Sequence, residues 1–245
     1  MFKSLFLGNS RTASGPDGRR VYAIGDIHGC AGLLDKLLDA IEMDARSAPA
    51  YQLIFLGDYI DRGPDSYAVI ARLIELKSAK PDTIFLKGNH EAAMLDFYSS
   101  PGDLTGWLDW GGEETLKSYG VSSVLGRVAF DIQEEINEKT PRVHLDFLNS
   151  LALMHDAGDY LFVHAGLRPG KALSEQTEED LLWIRQPFHN MTREQRPDQV
   201  VVHGHHPVKK ATDYGWRINV DSGAVWSDVL SAVVIEGHER RFIST

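Results

Sequence analysis

The sequence predicts a mixed α/β protein in which two β-sheets form a sandwich that helices flank. In the first half, short apolar runs alternate with stretches whose apolar residues recur at helical spacing. In the second half, short apolar runs are separated by turn-rich segments. We expect one domain over residues 19–245. A flexible arm at residues 1–18 precedes it, because residues 9–18 carry almost no apolar side chains.

Three strand–loop–helix units build the first half. The predicted strands are Arg20–Gly25, Leu53–Leu56 and Thr83–Leu86. Helical periodicity follows the first two strands, through residues 33–41 and 69–76, and Pro81 stops the second helix. Polar residues come directly after the C-terminal end of each strand. Since sheets of this type bind ligands at that edge, we expect the functional site there.

Residues 97–150 interrupt this rhythm and are predicted to be a helical insertion beside or over the site. Within it, residues 131–139 are interpreted as a solvated charged segment and residues 142–151 as an amphipathic helix. The two tryptophans of this region, Trp107 and Trp110, are assigned to core packing in the first instance.

The second half is predicted to supply the second sheet. Residues 151–154 and 160–163 flank a turn-rich segment typical of a hairpin, and a short helix follows around residues 179–185. Three further strands are predicted, and we expect them to be antiparallel and to face the first sheet. They are Gln199–Val202, Arg217–Val220 and Leu230–Ile235.

Composition excludes several classes of protein. Of 245 residues, 43% are hydrophobic and 24% are charged, which is typical of a globular protein with a sizeable core. The formal net charge of −10 argues against nucleic acid or a membrane surface as a partner, because both attract basic proteins. The sequence has no run of about 18 apolar residues, and its single cysteine, Cys30, suits a reducing compartment. We therefore expect a cytoplasmic protein.

The most informative stretch is residues 58–63, where Asp58, Asp61 and Arg62 follow an apolar strand. Burying like charges is costly unless cations or hydrogen bonds compensate, so this stretch predicts a metal or an arginine network. Four glycine-flanked polar segments of the same kind strengthen the prediction. They are GDIHG (25–29), GNHE (88–91), HAG (164–166) and HGHHP (203–207).

The candidate ligands are oxygen and nitrogen donors without a thiolate, a mixture that favours Mn, Fe or Zn over Ca or Mg. They are Asp26, His28, Asp58, Asn89, His164 and His205. Two cations about 3.5 to 4 Å apart need an anion between them, and Asp58 is the natural bridge. Asp26 and His28 would complete one site, and the other three residues would complete the second. We predict two divalent transition-metal ions, with Mn as the first choice.

Together these motifs resemble the phosphoprotein phosphatase family within the calcineurin-like metallophosphoesterases, and the resemblance covers roughly residues 20–236. It implies the metallophosphatase fold and attack on phosphorus by a hydroxide that bridges two metals. His90 would be the leaving-group acid, oriented by Asp61. Arg62, Arg185 and Asn89 would bind phosphate oxygens.

The sequence leaves open the roles of His203, His206, Arg168 and residues 219–223. The Gly-His-X-Pro pattern selects His205 as the ligand, so His203 and His206 are interpreted as neighbouring histidines rather than ligands. Arg168 lies just beyond His164 and is open to two interpretations, a contact with an anionic substrate or a solvated side chain. Residues 219–223 are interpreted first as a structural turn.

The GLRPG (166–170) and LLWIR (181–185) runs are similar to the bacterial branch of the family, which includes protein phosphatases and symmetrical diadenosine tetraphosphatases. Our leading hypothesis is hydrolysis of phosphomonoesters on proteins, at serine or threonine and conceivably at tyrosine. The alternative is hydrolysis of dinucleoside tetraphosphates. A third hypothesis, from another class, is a metal-bound interaction module without turnover.

The wall of the site should separate the first two hypotheses. A dinucleotide would need aromatic side chains that stack on its bases and further cationic contacts, whereas a phosphoprotein needs a shallow, open cleft. Trp107, Trp110 and Trp183 could supply stacking. The interaction module would be favoured by the loss of His90, Asp61 or Arg62, and all three are present.

Overall fold

The computed structural model describes residues 12–100 and 104–245. The strands are β1 Arg20–Ile24, β2 Tyr51–Phe55, β3 Ile84–Phe85, β4 Met154–Ala157, β5 Tyr160–Val163, β6 Val200–His203, β7 Thr212–Asp213, β8 Arg217–Asn219, β9 Ser231–Glu236 and β10 Glu239–Ser244. The α-helices are α1 Ala31–Ala45, α2 Ser66–Ala79, α3 Asn89–Ser99, α4 Leu104–Trp107, α5 Glu113–Ser118, α6 Ala129–Lys139, α7 Arg142–Asn149, α8 Glu178–Trp183, α9 Gln186–His189 and α10 Ala224–Ser227. A π-helical turn, Leu108–Gly112, joins α4 to α5.

Two five-stranded mixed sheets form the centre of the molecule. The first has the order β10-β9-β1-β2-β3, with β1, β2 and β3 parallel and β9 antiparallel to β1. The second has the order β4-β5-β6-β8-β7, with β5, β6 and β8 parallel. The three parallel strands of the first sheet have the antiparallel pair β9–β10 on one side, whereas those of the second sheet lie between β4 and β7, which are antiparallel to their neighbours. The predicted two-sheet architecture flanked by helices is confirmed.

The two sheets share an apolar core, because alternate residues of a strand face opposite sides of its sheet. Along β1, Val21 and Ala23 lie in the core between the sheets, whereas Tyr22 and Ile24 pack against the helices on the outer face. Strand β5 alternates in the same way, between the core shared by the sheets and a cluster with residues of α8 and α9.

The helices of the first half begin and end where the sequence indicates. Helix α1 buries the apolar face predicted at residues 33–41. Helix α2 begins after Asp65, whose carboxylate accepts a hydrogen bond from the Ala68 backbone N–H at 2.9 Å. It ends at Ala79, because the α conformation is disfavoured at Lys80, the residue before Pro81.

Three expectations for the rest of the chain are wrong. The strands of the second sheet were expected to be antiparallel, but β5, β6 and β8 are parallel, because residues 164–199 are long enough for a crossover that contains α8 and α9. Strand β9 joins the first sheet beside β1. Residues 131–139 belong to α6 rather than to a solvated segment, since Ile132 and Ile136 are buried on one face of that helix.

The predicted N-terminal arm is only partly described, and residues 1–11 lie outside the described range. Of the remainder, the Ser14 backbone N–H donates to the Asp159 carboxylate at 2.9 Å, and Gly15 donates to the Gly237 carbonyl at 2.7 Å. Residues 14 and 15 are therefore attached to the domain. Within the described ranges, no helix is both long and apolar enough to span a bilayer.

Candidate metal centre and active site

The candidate residues follow the C-terminal ends of five parallel strands. Asp26 and His28 come after β1, Asp58 and Asp61 after β2, Asn89 and His90 after β3, His164 after β5 and His205 after β6. Parallel strands end at the same edge of a sheet, and the two sheets present these edges to one another. Segments up to 179 residues apart in sequence thus meet, as Asp26 and His205 do.

Two groups of side chains offer ligand atoms that lie within 4.8 Å of one another. The first group is His28, Asp58 and His90, and the second is Asp58, His164 and His205. Asp58 belongs to both, as expected for a carboxylate between two cations. The first group contains His90, which the sequence assigned to proton transfer, and does not contain Asp26.

The two remaining predicted ligands, Asp26 and Asn89, are also at the centre. The Asp26 carboxylate accepts a hydrogen bond from the His205 backbone N–H at 3.0 Å. The Asn89 Oδ1 atom lies 2.9 Å from His205 Nδ1 and 3.0 Å from His164 Nε2. All six predicted ligands are buried and are brought together in one place.

The electrostatics of the centre fit a cation. Burial lowers the pKa of His28 to about 3 and that of His205 to about 2, so these imidazoles are neutral and can donate a lone pair. Burial, followed by the negative charges of Asp221 and Asp58, raises the pKa of Asp26 well above its ordinary value. The buried Nε2 atom of His205 has no hydrogen-bond partner among the described residues. Divalent cations would relieve the carboxylate repulsion and use this free nitrogen.

The backbone of the site is unusually strained. Among the described residues, six non-glycine residues have a positive φ. Five belong to the site: His28 at 45°, Asp58 at 52°, Asp61 at 72°, Arg62 at 66° and His205 at 63°. Each left-handed residue of this kind costs of order 1–3 kcal/mol and persists only where its surroundings hold it. This concentration of strain at one place supports a functional site.

Gly57 shows why the loop after β2 needs a glycine. Its φ is 100°, and a Cβ at this position would lie 2.5 Å from the Gly88 nitrogen. Both the conformation and the close approach of the two loops exclude a side chain. The glycine thus lets the Asp58 loop pack directly against the loop that carries Asn89 and His90.

A hydrogen-bond network fixes the orientation of His90. Its Nδ1 atom is 2.7 Å from Asp61 Oδ2, which also accepts a bond from Trp107 Nε1 at 2.9 Å. Thr115 donates to the other Asp61 oxygen at 2.6 Å. The Nε2 atom of His90 faces the centre, 3.9 Å from Asp58 Oδ2. Burial alone would lower the pKa of His90, but the charge of Asp58 and the bond to Asp61 outweigh it and raise that pKa.

Two arginines border the centre. The Arg62 Nη1 atom is 2.6 Å from His28 Nε2, and Arg62 Nε donates to the Trp110 carbonyl at 3.3 Å. Arg185 lies exposed at the start of α9. Burial is the main cause that lowers the pKa of His164 and His205, and the positive charge of Arg185 adds to it.

The residues whose roles were open are now located. Neither ligand group includes His203, whose Nδ1 lies 3.0 Å from the Gly204 carbonyl and whose Nε2 lies 3.2 Å from Arg217. His206 lies half-buried against His189, with ring centroids 4.7 Å apart. Arg168 forms an ion pair with the buried carboxylate of Asp180.

Two residues of the site, Glu91 and Asp221, were not assigned a functional role from the sequence. The buried Glu91 carboxylate accepts bonds from the backbone N–H groups of Asp58, Tyr59 and Gly88 at 2.7–2.9 Å, so it shapes the loop after β2. Asp221 lies buried near Asp26, within a turn as expected. The signal that could have identified Asp221 is its position after β8, another parallel strand with its end at the same edge.

A family model described as calcineurin-like phosphoesterase matches residues 19–239, nearly the whole chain. The chain belongs to this family. Two similar curated proteins are each 27% identical to this phosphoesterase. One is an asymmetrical bis(5'-nucleosyl)-tetraphosphatase PrpE of Anoxybacillus flavithermus, with 86% of this chain and 88% of the relative covered. The other is serine/threonine-protein phosphatase 1 of Salmonella typhimurium, with 89% and 93% covered.

A symmetrical bis(5'-nucleosyl)-tetraphosphatase of Dechloromonas aromatica is 32% identical over 157 residues, which are 64% of this phosphoesterase and 47% of that relative. The chain thus spans about half the length of this relative. Among solved structures, a cold-active protein tyrosine phosphatase has a TM-score of 0.62 at 16% identity, covering 91% of this chain and 78% of its own. That likeness supports the fold.

Proposed function

We propose that this phosphoesterase hydrolyses a phosphoanhydride bond of a dinucleoside polyphosphate, using two divalent cations. The observation that carries the proposal is an exposed pair of tryptophans beside the candidate centre. Trp110 and Trp183 have ring centroids 4.9 Å apart, and their side chains are 40% and 36% exposed. Exposed aromatic side chains next to a catalytic centre are suited to stacking on a nucleobase.

The pair is linked to both predicted phosphate-binding arginines. The Trp110 carbonyl accepts the bond from Arg62, and Trp183 is two residues before Arg185. A base that stacks on these rings would therefore bring its phosphates toward the two guanidinium groups. Trp107, the third tryptophan considered from the sequence, is only 2% exposed and bonds to Asp61, so it does not offer a stacking surface.

The tryptophan pair lies on the side of the centre where His90 is. A cavity of about 270 Å³ is lined by Ala93, Asp96, Phe97, Trp107, Trp110 and Trp183, among others. Ala93 follows His90 by three residues on α3, so the two lie on one face of that helix. His90 itself does not line the cavity; under this proposal, a leaving group that receives a proton from His90 would extend from the centre toward it. A nucleotide fits a cavity with an aromatic wall.

The chain's own residues can be given definite roles under this proposal. Asp26, His28, Asp58, Asn89, His164 and His205 would hold the cations. When bound, these ions would supply a hydroxide nucleophile at neutral pH and neutralise charge on the phosphoryl oxygens. Mn²⁺ is the proposed metal, because the donor set mixes imidazole nitrogen with carboxylate and amide oxygen.

His90 acts on the leaving group. As the hydroxide forms a bond to phosphorus, the bond to the leaving phosphate oxygen breaks, and the proton on His90 Nε2 moves to that oxygen. Asp61 accepts the Nδ1–H of His90 and, with Asp58, raises the pKa of this imidazole, so that the imidazolium form has a second, transferable proton on Nε2. Arg62, Arg185 and Asn89 stabilise the charge that spreads over the phosphoryl oxygens.

Phosphoprotein hydrolysis is the second candidate. It is supported by the match to the Salmonella serine/threonine-protein phosphatase 1, since 93% of that relative is covered. The same residues would cleave a phosphomonoester, with the serine or threonine oxygen as the leaving group. The aromatic wall is what favours the dinucleotide, because a peptide leaving group does not require two stacked tryptophans.

The test is a parallel measurement of kcat/KM with Mn²⁺ on diadenosine tetraphosphate and on phosphoserine, phosphothreonine and phosphotyrosine peptides. We expect the dinucleotide to be preferred by at least a hundredfold, about 2.7 kcal/mol of differential transition-state binding. If the peptides are instead preferred by a hundredfold or more, the proposal is overturned in favour of a protein phosphatase. Separation of the nucleotide products would show whether cleavage is symmetrical.

A further inference from the structure

Trp226, which lies near the centre, is the most exposed of the described tryptophans. Trp226 lies on the short helix α10, and its side chain is 65% exposed. The Arg62 guanidinium lies over its ring, with the Cζ atom 5.3 Å from the ring centroid. An exposed indole that contacts a phosphate-binding arginine is poorly explained by core packing, because most of its surface is left in water.

The segment that carries Trp226 is held in place at both ends. Helix α10 begins after Gly223, with φ 67°, and ends at Asp228, with φ 56°. Asp228 is the sixth non-glycine residue with positive φ in the described ranges. Before the helix, Asp221 accepts a bond from the Gly223 N–H at 2.9 Å, and Ser222 donates to the Val229 carbonyl at 2.6 Å. The indole is thus presented by a fixed turn.

Arg62 contacts aromatic segments with two different parts of its guanidinium. Its Nε edge donates to the carbonyl of Trp110, and its face lies over Trp226. These contacts come from distant parts of the chain, one before α5 and one after β8. Arg62 therefore links the segment that carries Trp110 to the indole ring of Trp226, and only the second of these contacts is with a ring.

Two separate cavities lie near the two segments that contact Arg62. The cavity of about 270 Å³ beside Trp110 and Trp183 has been described above. Another, of about 480 Å³, is lined by Cys30, Lys36, Pro64, Asp65, Val225 and Asp228, among others. No residue lines both. The second cavity adjoins α10 and the residues just after Arg62; Trp226 itself does not line it, and its charged lining residues are Lys36, Asp65 and Asp228.

We propose that Trp226 is the stacking surface for the second base of the substrate, the base on the nucleotide fragment that does not leave toward His90. The inference rests on the proposed function, since it assigns the two ends of a dinucleoside polyphosphate to two separate aromatic surfaces. Trp110 and Trp183 hold the leaving nucleotide, Trp226 holds the other, and Arg62 binds the phosphate chain between them. Trp226 is then a specificity-determining residue that contacts substrate.

The experiment compares the Mn²⁺-loaded wild-type chain with Trp226→Ala and Trp226→Phe. Two quantities are measured: KM for diadenosine tetraphosphate, and the inhibition constant of inorganic tripolyphosphate, which has phosphates but no base. We expect Trp226→Ala to raise KM about tenfold, within the range reported for loss of one base–aromatic stack, and Trp226→Phe to restore most of it. The tripolyphosphate inhibition constant should change less than twofold, since no base is involved.

Other outcomes overturn the inference. If Trp226→Ala leaves the dinucleotide KM unchanged while the wild type cleaves the dinucleotide, the second surface is not used, and the proposed function stands. If tripolyphosphate inhibition weakens by the same factor as the KM rises, Trp226 acts by positioning Arg62. If the wild type cleaves only phosphopeptides, the proposed function and this inference both fail. Because Trp226 is exposed, we expect each variant to melt as the wild type does.

Discussion

The loops that hold the candidate ligands differ in almost every physical respect from the segments that carry the exposed tryptophans. The ligand side chains are buried, their loops contain the strained residues, and buried carboxylates such as Glu91 satisfy the loop backbone. The tryptophans Trp110, Trp183 and Trp226 lie on a π-helical turn, the last residue of α8 and a four-residue helix. Their indoles are partly in water.

The buried ligand loops are therefore suited to catalysis, and the exposed tryptophans are suited to substrate selection. Holding cations requires a fixed set of donors, and strain and burial are tolerated because the surrounding bonds over-determine the geometry. Choosing a substrate requires accessible surface, which exposed side chains on short helices supply at little cost to the fold. Changes at the first region should therefore alter metal content or kcat, whereas changes at the second should alter KM.

The largest effect is expected for Asp58→Asn. The substitution replaces the carboxylate that both ligand groups share with a neutral amide, so the negative charge between the two cations is lost. We expect metal content to fall below one ion per chain and kcat/KM to fall roughly a thousandfold or more, since cations contribute several kcal/mol. Elemental analysis after gel filtration measures the metal content. The control is Asp35→Asn, at an exposed ion pair with Arg72.

His90→Asn is expected to lower kcat by about a hundredfold to ten-thousandfold, the usual contribution of a positioned acid. Metal content should stay at the wild-type level. Because His90 lies within the first ligand group, this variant tests its role directly. Loss of a metal ion on substitution would assign His90 as a ligand and contradict the division between ligands and acid.

Trp183→Ala should raise KM for diadenosine tetraphosphate about tenfold and leave kcat nearly unchanged, because a base–aromatic stack is lost away from the reacting atoms. Phe130→Ala, at an exposed aromatic residue of α6, is the matched control and should change neither parameter. A fall in kcat with constant KM would place Trp183 in the catalytic network instead of the substrate wall.

The smallest effect is expected for Trp107→Phe. The ring remains but the bond from Nε1 to Asp61 is removed, which is worth about 1 kcal/mol. We expect kcat to fall about fivefold at constant KM, since His90 is held less firmly. Trp216→Phe, near the second sheet, controls for general destabilisation. A change in KM alone would show that Trp107 shapes the cavity rather than the acid.

Sequence alone was sufficient to predict the sheet architecture of the first half and the six candidate ligands. Apolar periodicity and strand-end motifs are local properties. Glycine-flanked polar residues after a buried strand can be recognised without knowing which other segments they contact. It did not determine the direction of β6 and β8 or the place of β9, because strand pairing depends on how long connections cross the sheets.

The surroundings of the centre, by contrast, could be known only from the packed chain. Trp110 and Trp183 are separated by more than seventy residues, and Trp226 contacts Arg62 from a turn after β8. Nothing in their local sequence distinguishes them from Trp107, which is buried against Asp61. Exposure and contact are properties of the packed chain. The residues proposed for catalysis therefore lie in short motifs that the sequence shows. The residues proposed for substrate selection depend on which distant side chains the fold brings to one edge.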